Sequence, residues 1–345
     1  MGFSVNKDQL ANVAQAMVAK GKGLLAADES TSTIKKRFDA IGVVSTADTR
    51  RDYRELLFRS KTAMQQYISG VILYDETIRQ QAVDGTPFVK LIEAAGAIPG
   101  IKVDEGAKPL PLFPGETVTE GLDGLAGRLA EYYRLGARFA KWRAVIDIAG
   151  GIPTAGAIKA NAHALARYAA LCQEANIVPI VEPEVLMDGD HTIERCYEVT
   201  ERVLKKVFSE LYSARIFLEG MILKPNMVVP GKKAAQQASP ERVAAETLRL
   251  FKHCVPVAVP GIAFLSGGQD DVEATANLDA IHRLGPLPWG VTFSYGRALQ
   301  AAPQKAWAGH PAQVPAAQAA FDHRARMNGL AAMGQWSLDL EKAAA

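Results

Sequence analysis

The chain has 345 residues, and 48% of them are hydrophobic, enough for a large core and without compositional sign of disorder. Its 39 Lys and Arg balance 37 Asp and Glu, so it lacks the basic excess of a general nucleic-acid binder and any positive field has to be local. The length fits two ordinary domains or one large α/β barrel. Cys172, Cys196 and Cys254 are too far apart for a metal-ligand motif or a disulfide framework. The segment from Met1 to Lys20 mixes charged and apolar residues, unlike a signal peptide. Asn6 stands where a myristoylation motif beginning at Gly2 needs Ser or Thr. No run approaches the roughly 20 apolar residues of a bilayer span.

Eight short apolar stretches follow one another: Gly23–Ala27, Gly70–Tyr74, Gly100–Val103, Arg138–Ile148, Ile177–Val181, Ile216–Leu223, Val257–Leu265 and Gly290–Phe293. Most are near-continuous apolar runs and not alternations, the pattern of strands buried on both faces. Amphipathic helical segments lie between them. In Asp190–Ala214, Ile193, Tyr197, Leu204, Phe208 and Leu211 share one helical face. Ser239 and Pro240 read as an N-cap and first-turn pair opening the next helix. Strand then helix, eight times, predicts an α/β chain folded as a (β/α)8 barrel, with a doubly wound open sheet as the competing architecture. Gly106–Gly115 reads as a loop. The Ala-rich segment 311–345 reads as an appended helix with a flexible tail, so residues 1–345 are expected to form one domain.

Active sites of such barrels lie at the carboxyl ends of the strands. The runs end, in order, on Asp28-Glu29-Ser30, Asp75, Lys102, Lys141 with Arg143, Glu182 with Glu184, Lys224, Ser266-Gly267-Gly268, and Ser294 with Gly296-Arg297. A lone Lys is usually a solvated charge. Lys224, in Ile222-Leu223-Lys224-Pro225, closes an apolar run, where an unpaired ammonium would be costly. Three strand-end lysines with Glu182 and Asp28 instead form a mixed-charge pocket. A neutral Lys attacks a ketone to give an imine, and the protonated imine withdraws electrons from the adjacent carbon–carbon bond, so retro-aldol cleavage needs no metal. Lys141 is the cation best placed to tune Lys224, and Glu182 and Asp28 can move the protons. The glycines after runs seven and eight suit a phosphate, with Arg297 adding charge. Lys102, Arg37, Ser30 and Thr33 could hold a second phosphate. A transaldolase-like Schiff-base enzyme and a non-catalytic scaffold are the rival readings. A zinc-dependent aldolase would need clustered histidines, and His163, His191, His253, His282, His310 and His323 all lie away from the strand ends.

The segments Gly21-Lys22-Gly23-Leu24-Leu25-Ala26-Ala27-Asp28-Glu29-Ser30, Gly100-Ile101-Lys102-Val103-Asp104, Phe139-Ala140-Lys141-Trp142-Arg143, Val181-Glu182-Pro183-Glu184, Leu223-Lys224-Pro225-Asn226-Met227, Leu265-Ser266-Gly267-Gly268-Gln269 and Ser294-Tyr295-Gly296-Arg297 closely resemble class I fructose-bisphosphate aldolases, over nearly the whole chain. The resemblance implies a Schiff base on Lys224. It makes Glu182 the acid/base of imine formation, with Lys141 and Glu184 beside it, and Asp28 the base for the hydroxyl on the fourth carbon. Ser266, Gly267, Gly268, Ser294, Gly296 and Arg297 would hold the phosphate on the first carbon. Ser30, Thr33, Arg37, Arg50, Lys102 and Arg143 would surround the other phosphate or the sugar chain. It further implies a cytosolic homotetramer of glycolysis and gluconeogenesis, with a sugar-phosphate substrate and no metal, cofactor, nucleic-acid or membrane partner. Two positions depart from the animal pattern. Thr33 replaces a Ser, and no Tyr follows Tyr295, whereas the animal enzymes use a terminal Tyr for proton exchange on the enamine. That exchange is expected to fall to Glu182, Glu184 or water.

Overall fold

Eight parallel strands close on themselves in sequence order: β1 (Gly23–Ala27), β2 (Ile68–Leu73), β3 (Ile98–Lys102), β4 (Phe139–Ile146), β5 (Val178–Val185), β6 (Ile222–Leu223), β7 (Gly261–Phe264) and β8 (Gly290–Tyr295), with β8 pairing back to β1. Each of the eight apolar runs supplies one strand, and helices cover the outside, so the chain is a (β/α)8 barrel. The computed structural model describes residues 5–342. Two runs begin several residues before their strands do. Ile216–Leu223 yields only Ile222–Leu223, after a 3-10 turn at Leu218–Gly220. Val257–Leu265 begins its strand at Gly261, because Pro256 and Pro260 offer no N–H to a ladder.

The interior of the barrel is plugged at its amino-terminal end. Helix Lys7–Met17, capped by the Asn6 side chain on the Gln9 N–H, buries Leu10, Ala14 and Met17. These meet Leu24, Ile72, Phe139, Val178, Ile180, Ile222 and Ala263 inside the strands. Phe139 fills the centre because its neighbours have no side chain: a Cβ on Gly100 would lie 2.2 Å from the Phe139 ring. Burying a ring of this size contributes on the order of 3 kcal/mol. With this cluster filling its lower half, the barrel opens toward the carboxyl ends of the strands.

Ser239 caps helix Pro240–Cys254 with Pro240 in its first turn, as its sequence indicates. The segment Gly106–Gly115 is not plain loop. It contributes to a two-stranded antiparallel hairpin, Ala107–Pro109 with Thr117–Thr119, held against β4 by the Thr117 and Thr119 hydroxyls donating to Val145 O and Arg143 O. The Ala-rich region folds as helix Val314–Ala331, then a short helix Leu338–Lys342. That last helix is tied down. Glu341 accepts from buried Arg324 at 2.6 and 2.7 Å, from Trp336 Nε1 at 3.0 Å, and lies 3.0 Å from His323 Nε2. The tail is therefore anchored as far as Lys342, while the closing Ala343–Ala345 lies outside the described residues. No helix among the described residues is long and apolar enough to cross a membrane.

Candidate active site

The open end of the barrel holds a cleft of about 1030 Å³. Its wall brings together Asp28, Ser30, Thr33, Arg37, Lys102, Lys141, Arg143, Glu182, Glu184, Lys224, Ser266, Gly267, Ser294, Gly296 and Arg297. At its floor lies a chain of alternating charges. Glu182 sits between two ammonium groups, with Oε1 3.3 Å from Lys224 Nζ and Oε2 3.5 Å from Lys141 Nζ. Lys141 in turn lies 2.6 Å from Asp28 Oδ2. Lys141, Glu182 and Lys224 are all buried. Strand register aligns them, since Lys141 lies beside Ile180 and Arg143 beside Glu182 on adjacent strands, and the Lys224 N–H donates to Val181 O.

The charges are strongly coupled. Burial pushes the Asp28 carboxyl up, but Lys141, then Lys224, outweigh it and hold the group at about 2. Burial opposes the charge of Lys141, yet Asp28, Glu182 and Asp104 together raise its pKa above the ordinary lysine value. Lys141 is thus a cation with a short carboxylate partner, and Asp28 is ionised at rest. Among the described residues, Lys224 makes only the longer ion pair to Glu182. Glu182 Oε2 makes no hydrogen bond among the described residues.

Each end of the cleft suits an anion. On one side, Gly296 precedes helix Arg297–Trp307 with no side-chain cap, leaving the first N–H groups open to a ligand. Ser266 and Gly267 face it from the end of β7, Gly267 in a left-handed conformation with φ of 57°. Ser294 Oγ lines the cleft without a hydrogen-bond partner among the described residues. The Arg297 guanidinium rests on Gly267 O. On the other side, Ser30 caps helix Thr31–Asp39 at the Thr33 N–H, with its Oγ 3.0 Å from Thr33 Oγ1. Lys102 and Arg143 also line the cleft, the latter paired with Glu184, while the Arg37 guanidinium reaches toward Gly296, 3.8 Å from where a Cβ there would stand.

Two of the expected residues, Arg50 and Gly268, do not line the cleft. Arg50 is held away from the cleft wall by Glu76, to which it donates from Nε at 2.8 Å and from Nη2. Gly268 turns its N–H to Met187 Sδ at 2.9 Å and lies under the Lys232 side chain, so the glycine of this pair that lines the cleft is Gly267. Other residues join the wall without having been singled out: Glu29, Ser32, Lys36, Asp104 and Arg128. Glu29 is buried and receives Arg37, Gln300 Nε2 at 2.8 Å and Arg54 at 3.5 Å. Its place directly after Asp28 was the one available sequence signal.

A charged cleft at the carboxyl end of a plugged parallel barrel, with anion-binding backbone at the loops after β7 and β8, defines an α/β-barrel enzyme for phosphorylated substrates. The family model for class-I fructose-bisphosphate aldolase matches residues 9–345. A probable fructose-bisphosphate aldolase class 1 of Xanthomonas campestris pv. campestris is 58% identical over 330 residues, covering 95% of this chain and 98% of the relative. Rat fructose-bisphosphate aldolase C is 50% identical over 331 residues, covering 96% and 91%. The solved structure of fructose-bisphosphate aldolase from Plasmodium falciparum, in complex with TRAP and a small-molecule inhibitor, superposes with a TM-score of 0.94 at 48% identity, covering 96% of each chain. The chain belongs to the class I fructose-bisphosphate aldolase family, and its activity is the aldehyde-lyase activity of that family.

Proposed function

We propose that Lys224 is the Schiff-base nucleophile and that fructose 1,6-bisphosphate is cleaved reversibly to dihydroxyacetone phosphate and glyceraldehyde 3-phosphate. The observation that carries this is the contrast between the two buried lysines. Lys141 is clamped at 2.6 Å by Asp28 and kept charged, so it is no nucleophile. The one ion pair of Lys224 among the described residues is to Glu182, at 3.3 Å, a carboxylate that can take its proton.

With the first-carbon phosphate on Ser266, Gly267, Ser294, Gly296 and Arg297, the ketone carbon is brought to Lys224. The amine adds to the carbonyl, and Glu182 passes protons until water leaves and the iminium forms. Asp28, ionised at neutral pH, then takes the proton of the fourth-carbon hydroxyl. The bond between carbons three and four breaks, its electrons pass into the iminium, and glyceraldehyde 3-phosphate departs from the side lined by Ser30, Thr33, Arg37, Lys102 and Arg143. Protonation of the remaining enamine, by Glu182, Glu184 or water, and hydrolysis of the imine release dihydroxyacetone phosphate. Lys141 holds Asp28 in its charged form and lies 3.5 Å from Glu182, and Arg143 pairs with Glu184.

The family resemblance supports three further readings: a single domain over residues 1–345, a homotetramer, and a cytosolic place in glycolysis and gluconeogenesis. Light scattering of the purified protein tests the second, and cell fractionation the third. The catalytic assignment is tested by Lys224→Ala. This variant should lose cleavage by at least about a thousandfold, as expected for removal of a covalent nucleophile. Retention of even a tenth of the rate would overturn it.

A further inference from the structure

Asp104 is a buried carboxylate at the barrel mouth to which the reaction above assigns no role. It follows β3 by two residues, and each of its oxygens is engaged. Oδ1 lies 2.8 Å from Lys102 Nζ and accepts the Gly106 N–H at 3.2 Å. Oδ2 accepts the Arg143 N–H, from the neighbouring strand β4, at 3.2 Å. Lys102 also donates to the Asp104 backbone carbonyl at 2.6 Å, so its ammonium is gripped twice by one residue. The Asp104 side chain is only 3% exposed, against 18% for Lys102. The loop around it is fixed independently. Gly106 takes a left-handed turn with φ of 91°, and Arg128 donates to Val103 O at 2.8 Å.

This geometry does more than neutralise a charge. A Lys on four flexible carbons loses side-chain entropy when it binds a phosphate. A carboxylate that already holds the ammonium at the cleft wall removes most of that cost before substrate arrives. The same carboxylate pins the backbone of Arg143, whose side chain lines the same end of the cleft. Its negative charge also contributes to keeping Lys141 and Arg143 protonated.

We propose that Asp104 is a positioning residue that presents Lys102, and the β4 backbone at Arg143, to the phosphate remote from the Schiff base, and so sets the preference for a bisphosphate over a monophosphate ketose. The inference rests on the assignment of Lys102 to that end of the cleft. It goes beyond that assignment by naming what makes Lys102 effective and which substrates feel it.

The experiment compares Asp104→Asn, Lys102→Met and the double variant, with fructose 1,6-bisphosphate and fructose 1-phosphate as substrates. Asp104→Asn keeps the side-chain shape and an oxygen for one backbone N–H but loses the charge. Its kcat/KM for the bisphosphate should fall about tenfold, the size expected for a charged hydrogen bond, mostly through KM. Its kcat/KM for fructose 1-phosphate should change less than about twofold, and the double variant should be no worse than Lys102→Met, since the two act as one unit. Equal losses on both substrates, additive losses in the double variant, or tighter bisphosphate binding in Asp104→Asn would overturn the proposal. Borohydride trapping of dihydroxyacetone phosphate by each variant separates this from failure of the Schiff-base reading. A positioning role leaves trapping intact, whereas absence of trapping in the unmodified enzyme would remove the reading on which the inference stands.

Discussion

Replacing Glu341 by Gln should destabilise the protein without slowing its chemistry. Glu341 is the anchor of the last helix, and its main partner, Arg324, is buried with a side chain 4% exposed. Both Glu341 oxygens accept from Arg324 Nη1, at 2.7 and 2.6 Å. Without the carboxylate, Arg324 keeps Thr275 Oγ1 at 2.6 Å, Asp271 O at 2.9 Å, and the Asp271 carboxylate only at 3.7 Å. Breaking a buried ion pair by removing one partner costs about 3–5 kcal/mol. The surviving acceptors and the position at a chain end place this case lower, at about 2–3 kcal/mol, or roughly 3–4 °C in Tm for a chain of this size. Burial pushes the Glu341 carboxyl up, but Arg324, His323 and Trp336 together bring it below its ordinary 4.5. Its contribution is therefore present above that pH and is lost as pH falls through the lower folded value, so the deficit of the variant should shrink in acid. The assay is thermal unfolding of both proteins from pH 4 to 8, with bisphosphate cleavage and detritiation of dihydroxyacetone phosphate measured at 25 °C. Glu341 is not part of the cleft wall, so both rates should stay within about twofold, and a chain ended at Trp336 should behave alike. A tenfold fall in detritiation with folding intact would show that the tail serves the active site. An unchanged Tm would show that the Arg324 pair carries no stability.

Lys141→Met strands Asp28 and Glu182 without their shared cation. Cleavage should fall by at least about a hundredfold, and the acid limb of the kcat/KM profile should move to higher pH as the Asp28 carboxyl rises from about 2; an unmoved acid limb would contradict the coupling. Arg297→Ala should weaken dihydroxyacetone phosphate binding by about 2–3 kcal/mol and Arg297→Lys by less, because a charge remains but bidentate contact is lost. Unchanged affinity in titration calorimetry of the Ala variant would remove Arg297 from the phosphate site. Full activity is expected in excess EDTA, because an imine supplies the electron sink and no group of three or more His, Cys, Asp or Glu among the described residues could hold a metal. Loss of activity restored by zinc would contradict the mechanism.

The barrel was legible because its strands are buried on both faces, so most left a near-continuous apolar run with polar residues at its end. That ending also placed Asp28, Lys141, Glu182 and Lys224 at one rim before any contact was known. Pairing across the barrel was not legible. Arg50 has the chemistry of a phosphate ligand, but Glu76, 26 positions away, claims its guanidinium. Gly268 shares a motif with Gly267, yet the left-handed turn at Gly267 points the two in different directions. The hairpin is not legible because its strands are three residues long, too short to show a period, and mostly exposed or half-buried. Leu10, Ala14 and Met17 do keep helical spacing, but nothing in a sequence says that this helix closes the far end of a barrel. Asp104 was visible only as part of a motif, because its role depends on Arg143 of the next strand.

The most direct measurement is reductive trapping. The protein is incubated with dihydroxyacetone phosphate and borohydride, digested, and mapped by peptide mass. One adduct per chain, on the peptide containing Lys224, is the predicted result. An adduct on Lys141 or Lys102, or no adduct under conditions of full cleavage activity, would contradict the assignment of the nucleophile.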